Sequence, residues 1–164
     1  MEIFQTSLIL ATFLCSLVAG FLFAYAIVVM PGIKSLNDRE FIRTFQVTDR
    51  VIQNNQPIFI FVWIGSAIAL IVSAFFGIGR LQGVDFFLLA FATLTYLFGV
   101  QISTIVIHQP LNNKLQTLDV ETMNETELKV ARKEFEPRWN TSNLIRTGIS
   151  GFVSIMLIIL LSRL

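Results

Sequence analysis

The chain has 164 residues, 54% of them hydrophobic and only 14% charged, with a net charge of +1 and a mean hydropathy of +0.71. Soluble domains carry about 25% charged residues, so the composition argues against a soluble globular domain. A near-neutral balance without a basic run leaves no electrostatic footprint for nucleic acid.

Residues 3–30 form a long apolar run broken only by small polar side chains. It exceeds the roughly 20 residues that span a bilayer and is too long for a signal-peptide core of about 7–15 residues. It is read as an uncleaved first span. Ala11, Cys15 and Ala19 recur every fourth residue, with Gly20 and Ala24 beside them, a spacing that lets another helix approach. Cys15 is the only cysteine and His108 the only histidine. That pair is too poor in N and S ligands for a zinc, iron–sulfur or bis-histidine haem site, so no metal is expected.

Pro31-Gly32 closes the first span. A polar segment follows in which Phe41, Phe45, Thr48 and Ile52 fall at helical spacing, predicting an amphipathic helix N-capped by Ser35 or Asn37. Asn54-Asn55-Gln56-Pro57 ends it. Residues 57–78 read as the second span, with Gly65, Ala69 and Ser73 on one stripe. A tight turn at residues 79–83 leads into the third span, residues 84–107, with Asp85 in its first turn, where an acid suits the helix dipole.

Residues 108–143 read as a second polar loop. Asn124 is a candidate cap for a helix from about Glu125 to Phe135, which Pro137 is expected to interrupt. The fourth span enters near Trp139 and is apolar over residues 144–161, with Gly148 and Gly151 as its small face. The fold class expected is therefore all-α: one membrane domain over residues 1–164, a four-helix transmembrane bundle with loops 31–56 and 108–143, each carrying a helix. Of the 12 Lys and Arg residues, only Arg80 and Arg163 lie away from the two loops and the span ends beside them. The positive-inside rule then puts both long loops in the cytoplasm and both termini outside. Two sequons, at Asn124 and Asn140, would be inert on that side.

This topology gathers polar groups at one mouth of the bundle. His108 ends the third span, followed by Pro110, Asn112 and Asn113. Trp139, Asn143 and Arg146 share one face of the fourth helix at i, i+4, i+7. If the third helix continues past Pro110, His108 and Asn112 stack at i, i+4. Taken singly, each has an ordinary reading: interfacial histidine and tryptophan, an arginine snorkelling to lipid phosphates, amides as caps or interhelical glue.

The run Pro110-Leu111-Asn112-Asn113 after a third span, then Trp139-Asn140-x-x-Asn143-x-x-Arg146 entering a fourth, resembles the four-helix membrane family that includes the fungal anthrone oxygenases. Pro31 and Gln46 are also similar. The resemblance implies an oxygenase acting on an anthrone-type aromatic without a metal, flavin or other cofactor. An acidic carbon between two rings loses a proton, the carbanion reduces dioxygen, and the peroxide loses water. His108 is the expected base. Arg146 with Asn112 or Asn143 is expected to stabilise the oxyanion, and Trp139 to stack on the rings, with Asn113, Gln46 and Pro110 also at the substrate. The expected partners are the lipid bilayer and a hydrophobic aromatic molecule, with self-association or a membrane partner left open. The alternative is a non-catalytic lipid- or quinone-binding module or an accessory subunit of a membrane complex.

Overall fold

The computed structural model describes residues 3–164 and contains five helices: α1 (Ile3–Ile33), α2 (Asp38–Gln53), α3 (Pro57–Gly77), α4 (Gly83–Gln116) and α5 (Glu125–Arg163). No strand occurs among the described residues. All but α2 are long and apolar enough to cross a membrane, and the chain is an integral membrane protein. α1 packs along α3 and α5, and α4 along α5. α3 and α4, joined by a tight turn at Gly79–Gln82, meet over a shorter stretch.

Close approach uses some of the small residues read from the sequence. Ala11, Cys15, Ala69 and Ser73 are buried, and a Cβ on Gly65 would stand 3.3 Å from Leu14 Cδ1. Gly20, Ala24 and Gly148 face outward instead. α4 and α5 approach closely at Gly99, where a Cβ would lie 2.8 Å from Ile149 Cδ1. Packing of this kind replaces the hydrophobic drive that lipid abolishes between helices.

Two expected helix ends are absent. α4 does not stop at His108 but runs on to Gln116. Its turns at Leu97–Ile102 and Thr104–His108 are widened into π-helix, with the Gln109 N–H reaching back to Thr104 O. The wide turn sits immediately before Pro110, so the missing proline N–H falls where the hydrogen-bond ladder has already shifted. α5 likewise continues through Pro137 as one 39-residue helix. Phe135 and Trp139, on either side of the proline, are both buried against Phe45, so tertiary packing holds the helix across it. At about 1.5 Å per residue α5 is roughly 58 Å long, about twice the hydrocarbon thickness, so its first part stands clear of the bilayer.

The caps are legible. Asn37 Oδ1 accepts from Glu40 N, and Asn124 and Glu127 form a reciprocal capping box. Gln56 accepts from Phe59 N ahead of Pro57, after Asn55 has taken a left-handed turn conformation (φ 60°). α2 folds over the bundle mouth. Its buried face is Phe41, Ile42, Phe45, Gln46 and Asp49, rotated from the expected stripe through Thr48 and Ile52. Arg132 fastens it, lying 4.2 Å over the Phe41 ring, donating to Lys34 O and Leu36 O and pairing with Asp38 and Glu136. Arg39 bonds Val120 O and Met123 O on the facing loop and Glu125 at the start of α5.

Candidate functional site

Under α2 lies a cavity of about 670 Å³, within the roughly 300–1,000 Å³ of small-molecule pockets. Its walls come from every helix: Phe21 and Tyr25 of α1, Phe45 and Asp49 of α2, Phe59 and Trp63 of α3, Gln101, Thr104, His108 and Asn112 of α4, and Trp139, Asn143 and Arg146 of α5. The π-helical turns of α1 (Tyr25–Val29) and α4 fall at this level and carry Tyr25, Gln101, Thr104 and His108. Two further wall residues, Ile64 (52% exposed) and Ile105 (58% exposed), reach the outer face of α3 and α4. The cavity therefore extends to the bundle's lipid-facing side between these two helices.

Arg146 is buried at 4% exposure rather than snorkelling. Its Nη1 donates to Thr104 Oγ1 at 2.7 Å, and its Nη2 reaches Asn143 Oδ1 at 3.0 Å and His108 Nδ1 at 3.1 Å. Nε has no partner, and no carboxylate lies within ion-pair distance of the guanidinium among the described residues. Arginine cannot accept a hydrogen bond, so His108 Nδ1 is the acceptor and the imidazole proton sits on Nε2. That N–H donates to Ser142 Oγ at 2.9 Å. Both ring nitrogens are thus engaged. Asn143, 1% exposed, donates to Leu22 O at 3.2 Å, just before the wide turn of α1.

A second polar cluster meets the first at Trp139, whose ring stands edge-on to His108 with centroids 5.1 Å apart. Trp139 Nε1–H donates to Asn112 Oδ1 (3.0 Å), and Asn112 Nδ2 donates to Asp49 Oδ1 (2.8 Å). Asp49 Oδ2 accepts from Gln53 (2.6 Å) and Gln116 (3.0 Å). Asp49 is 4% exposed, and no cation pairs with it among the described residues. Burial holds its carboxyl above the usual carboxylate range, and the amide donors pull the other way without cancelling the effect.

Of the residues singled out in the sequence, His108, Asn112, Asn113, Trp139, Asn143 and Arg146 line this one cavity. Gln46 and Pro110 do not. Gln46 donates to Leu115 O and Leu118 O, tying α2 to the end of α4, and Pro110 is exposed. Sequence reasoning missed Asp49, Thr104, Ser142 and Gln116. Asp49 carried a signal: it lies four residues after Phe45 on the apolar face of α2, where a lone acid needs an explanation. Among the described residues no three His, Cys, Asp or Glu side chains gather as a ligand set.

A helical integral membrane bundle with a capped aromatic cavity and buried charges at one mouth is the class that fold and site define. The chain belongs to the anthrone oxygenase family: the family's sequence model matches residues 49–156, about two thirds of the chain. The match takes in the polar cavity residues from Asp49 to Arg146 and leaves Tyr25, Pro31 and Gln46 outside. No curated protein and no solved structure matches the chain.

Proposed function

We propose that this protein is a cofactor-independent oxygenase acting on an electron-rich, anthrone-type polycyclic aromatic in the cavity beneath α2, at the cytoplasmic end of the bundle. The observation that carries the reading is Arg146: a buried guanidinium with no counter-charge among the described residues, whose Nε has no hydrogen-bond partner, in a cavity walled by aromatic rings. Burying an unpaired charge costs several kcal/mol. A developing oxyanion would relieve that cost, so the site binds the charged transition state better than the neutral ketone.

The chemistry balances with dioxygen as oxidant. A base removes a proton from the methylene carbon, and the electron pair delocalises onto the carbonyl oxygen facing Arg146. The carbanion gives one electron to dioxygen, the two radicals combine into a peroxide anion, and the proton held by the base returns to it to give the hydroperoxide. Loss of water leaves the second carbonyl, so CH2 and O2 become C=O and H2O. His108, with Thr104 and Asn143, keeps Arg146 aimed. Phe21, Tyr25, Phe45, Phe59, Trp63 and Trp139 supply flat apolar walls.

The test is oxygen uptake by purified protein with a panel of anthrones, with chelator present and absent. Uptake above the spontaneous rate that Arg146→Met removes supports the reading. Folded protein that binds the product quinone without consuming oxygen would instead make it a quinone-binding module, which could use the same guanidinium.

A further inference from the structure

We propose that Asp49, not His108, is the base that takes the substrate proton; this rests on the oxygenase reading above. Geometry separates the two candidates. The only imidazole nitrogen with a lone pair, Nδ1, already accepts from Arg146, so taking up a proton there would break the hydrogen bond that positions the oxyanion holder. Asp49 has no such conflict. Its carboxylate lines the same cavity, and no cation neutralises it among the described residues.

The hydrogen-bond inventory supports this assignment. A carboxylate oxygen accepts about two hydrogen bonds. Oδ2 is filled by Gln53 and Gln116, whereas Oδ1, among the described residues, accepts only from Asn112 and keeps one acceptor position. Amides on α2 and α4 thus fix the carboxylate without donating a full charge to it, which preserves its basicity. Burial, which disfavours the charged form, acts in the same direction.

Among the described residues, the cavity therefore holds an anion and a cation without partner charges, Asp49 on α2 and Arg146 on α5, and aromatic rings line its walls. An anthrone presents a matching pair, an acidic methylene on one side of its central ring and a carbonyl oxygen on the other. The methylene C–H bond breaks, the proton passes to Asp49 Oδ1, and the electron pair appears at the oxygen beside Arg146.

Proton abstraction can be read without oxygen. Under anaerobic conditions in deuterated buffer, wild-type protein should accelerate deuterium exchange at the anthrone methylene, followed by NMR. Asp49→Asn should lower that acceleration about 10²–10⁴-fold, the usual contribution of a general base. It should still quench tryptophan fluorescence on binding anthraquinone with a Kd within about threefold of wild type, a readout that a merely structural role would not spare. Asp49→Glu, which keeps a carboxylate, should recover measurable exchange. Exchange by Asp49→Asn within threefold of wild type overturns the proposal, as does joint loss of quinone binding and exchange that Glu fails to restore. In either case wild-type oxygen uptake would leave the oxygenase reading intact. Wild-type protein that shows neither uptake nor exchange removes both.

Discussion

Arg146 donates a hydrogen bond to His108 Nδ1 across 3.1 Å, joining α5 to α4 and fixing the imidazole as the Nε2–H tautomer. Nitrogen NMR of the single labelled histidine should show an unprotonated Nδ1 and a protonated Nε2 at neutral pH. Because glutamine can still accept from Arg146, His108→Gln should lower oxygen uptake by no more than about tenfold, one hydrogen bond's worth, rather than abolish it. Complete loss in a folded variant that still binds quinone would return the base to His108.

Arg146 itself should separate activity from stability. Arg146→Met removes an oxyanion donor and should reduce turnover by about 10²–10³-fold. It also removes a buried charge while giving up the hydrogen bonds to Thr104, Asn143 and His108, two opposing effects that should leave its thermal midpoint in detergent close to that of wild type. A marked drop in midpoint would make Arg146 a structural anchor.

With Asp49 as the proposed base, turnover should depend on pH with a definite sign. The base works ionised, so turnover should rise with pH through a midpoint above the ordinary carboxylate value of about 3.9. The other titratable groups at this cavity are Tyr25 on α1, His108 on α4 and Arg146 on α5. Asp49→Asn should abolish the rising limb and His108→Gln should keep it. Stability runs the other way. An acid whose folded value is raised by burial stabilises the fold at low pH, and that contribution is lost as pH climbs from the unfolded to the folded value.

Arg132 is expected to hold the α2 cap in place. Arg132→Ala would strip its charged hydrogen bonds and the Phe41 contact, at a cost of about 2–3 kcal/mol. Limited proteolysis should then cut first between α2 and α3. Unchanged protection would assign the cap to its apolar face alone.

The loop charges predict a sidedness that labelling can check. With native Cys15 buried, a cysteine at Gln82 should react with an impermeant probe from outside and one at Glu127 only from inside. The reverse pattern would invert the topology.

Much of the bundle was readable because bilayer length and apolar run length obey one constraint. Trp139, Asn143 and Arg146 could be grouped because one helix carries all three. The helix ends at His108 and near Pro137 were misread because the proline rule weighs the local ladder alone and not what packs around it. Here a π turn precedes one proline, and Phe135 and Trp139 are clamped around the other. Asp49 escaped notice because its meaning depends on three amides, one four residues on and two more than sixty residues away.

Ile64 and Ile105 carry the cavity wall out to the lipid-facing side between α3 and α4. A ligand that dissolves in hydrocarbon thus meets the site from a two-dimensional solvent. What governs occupancy there is its mole fraction in the surrounding amphiphile, not its molarity in water. Diluting it with more lipid or detergent empties the cavity just as removing ligand would.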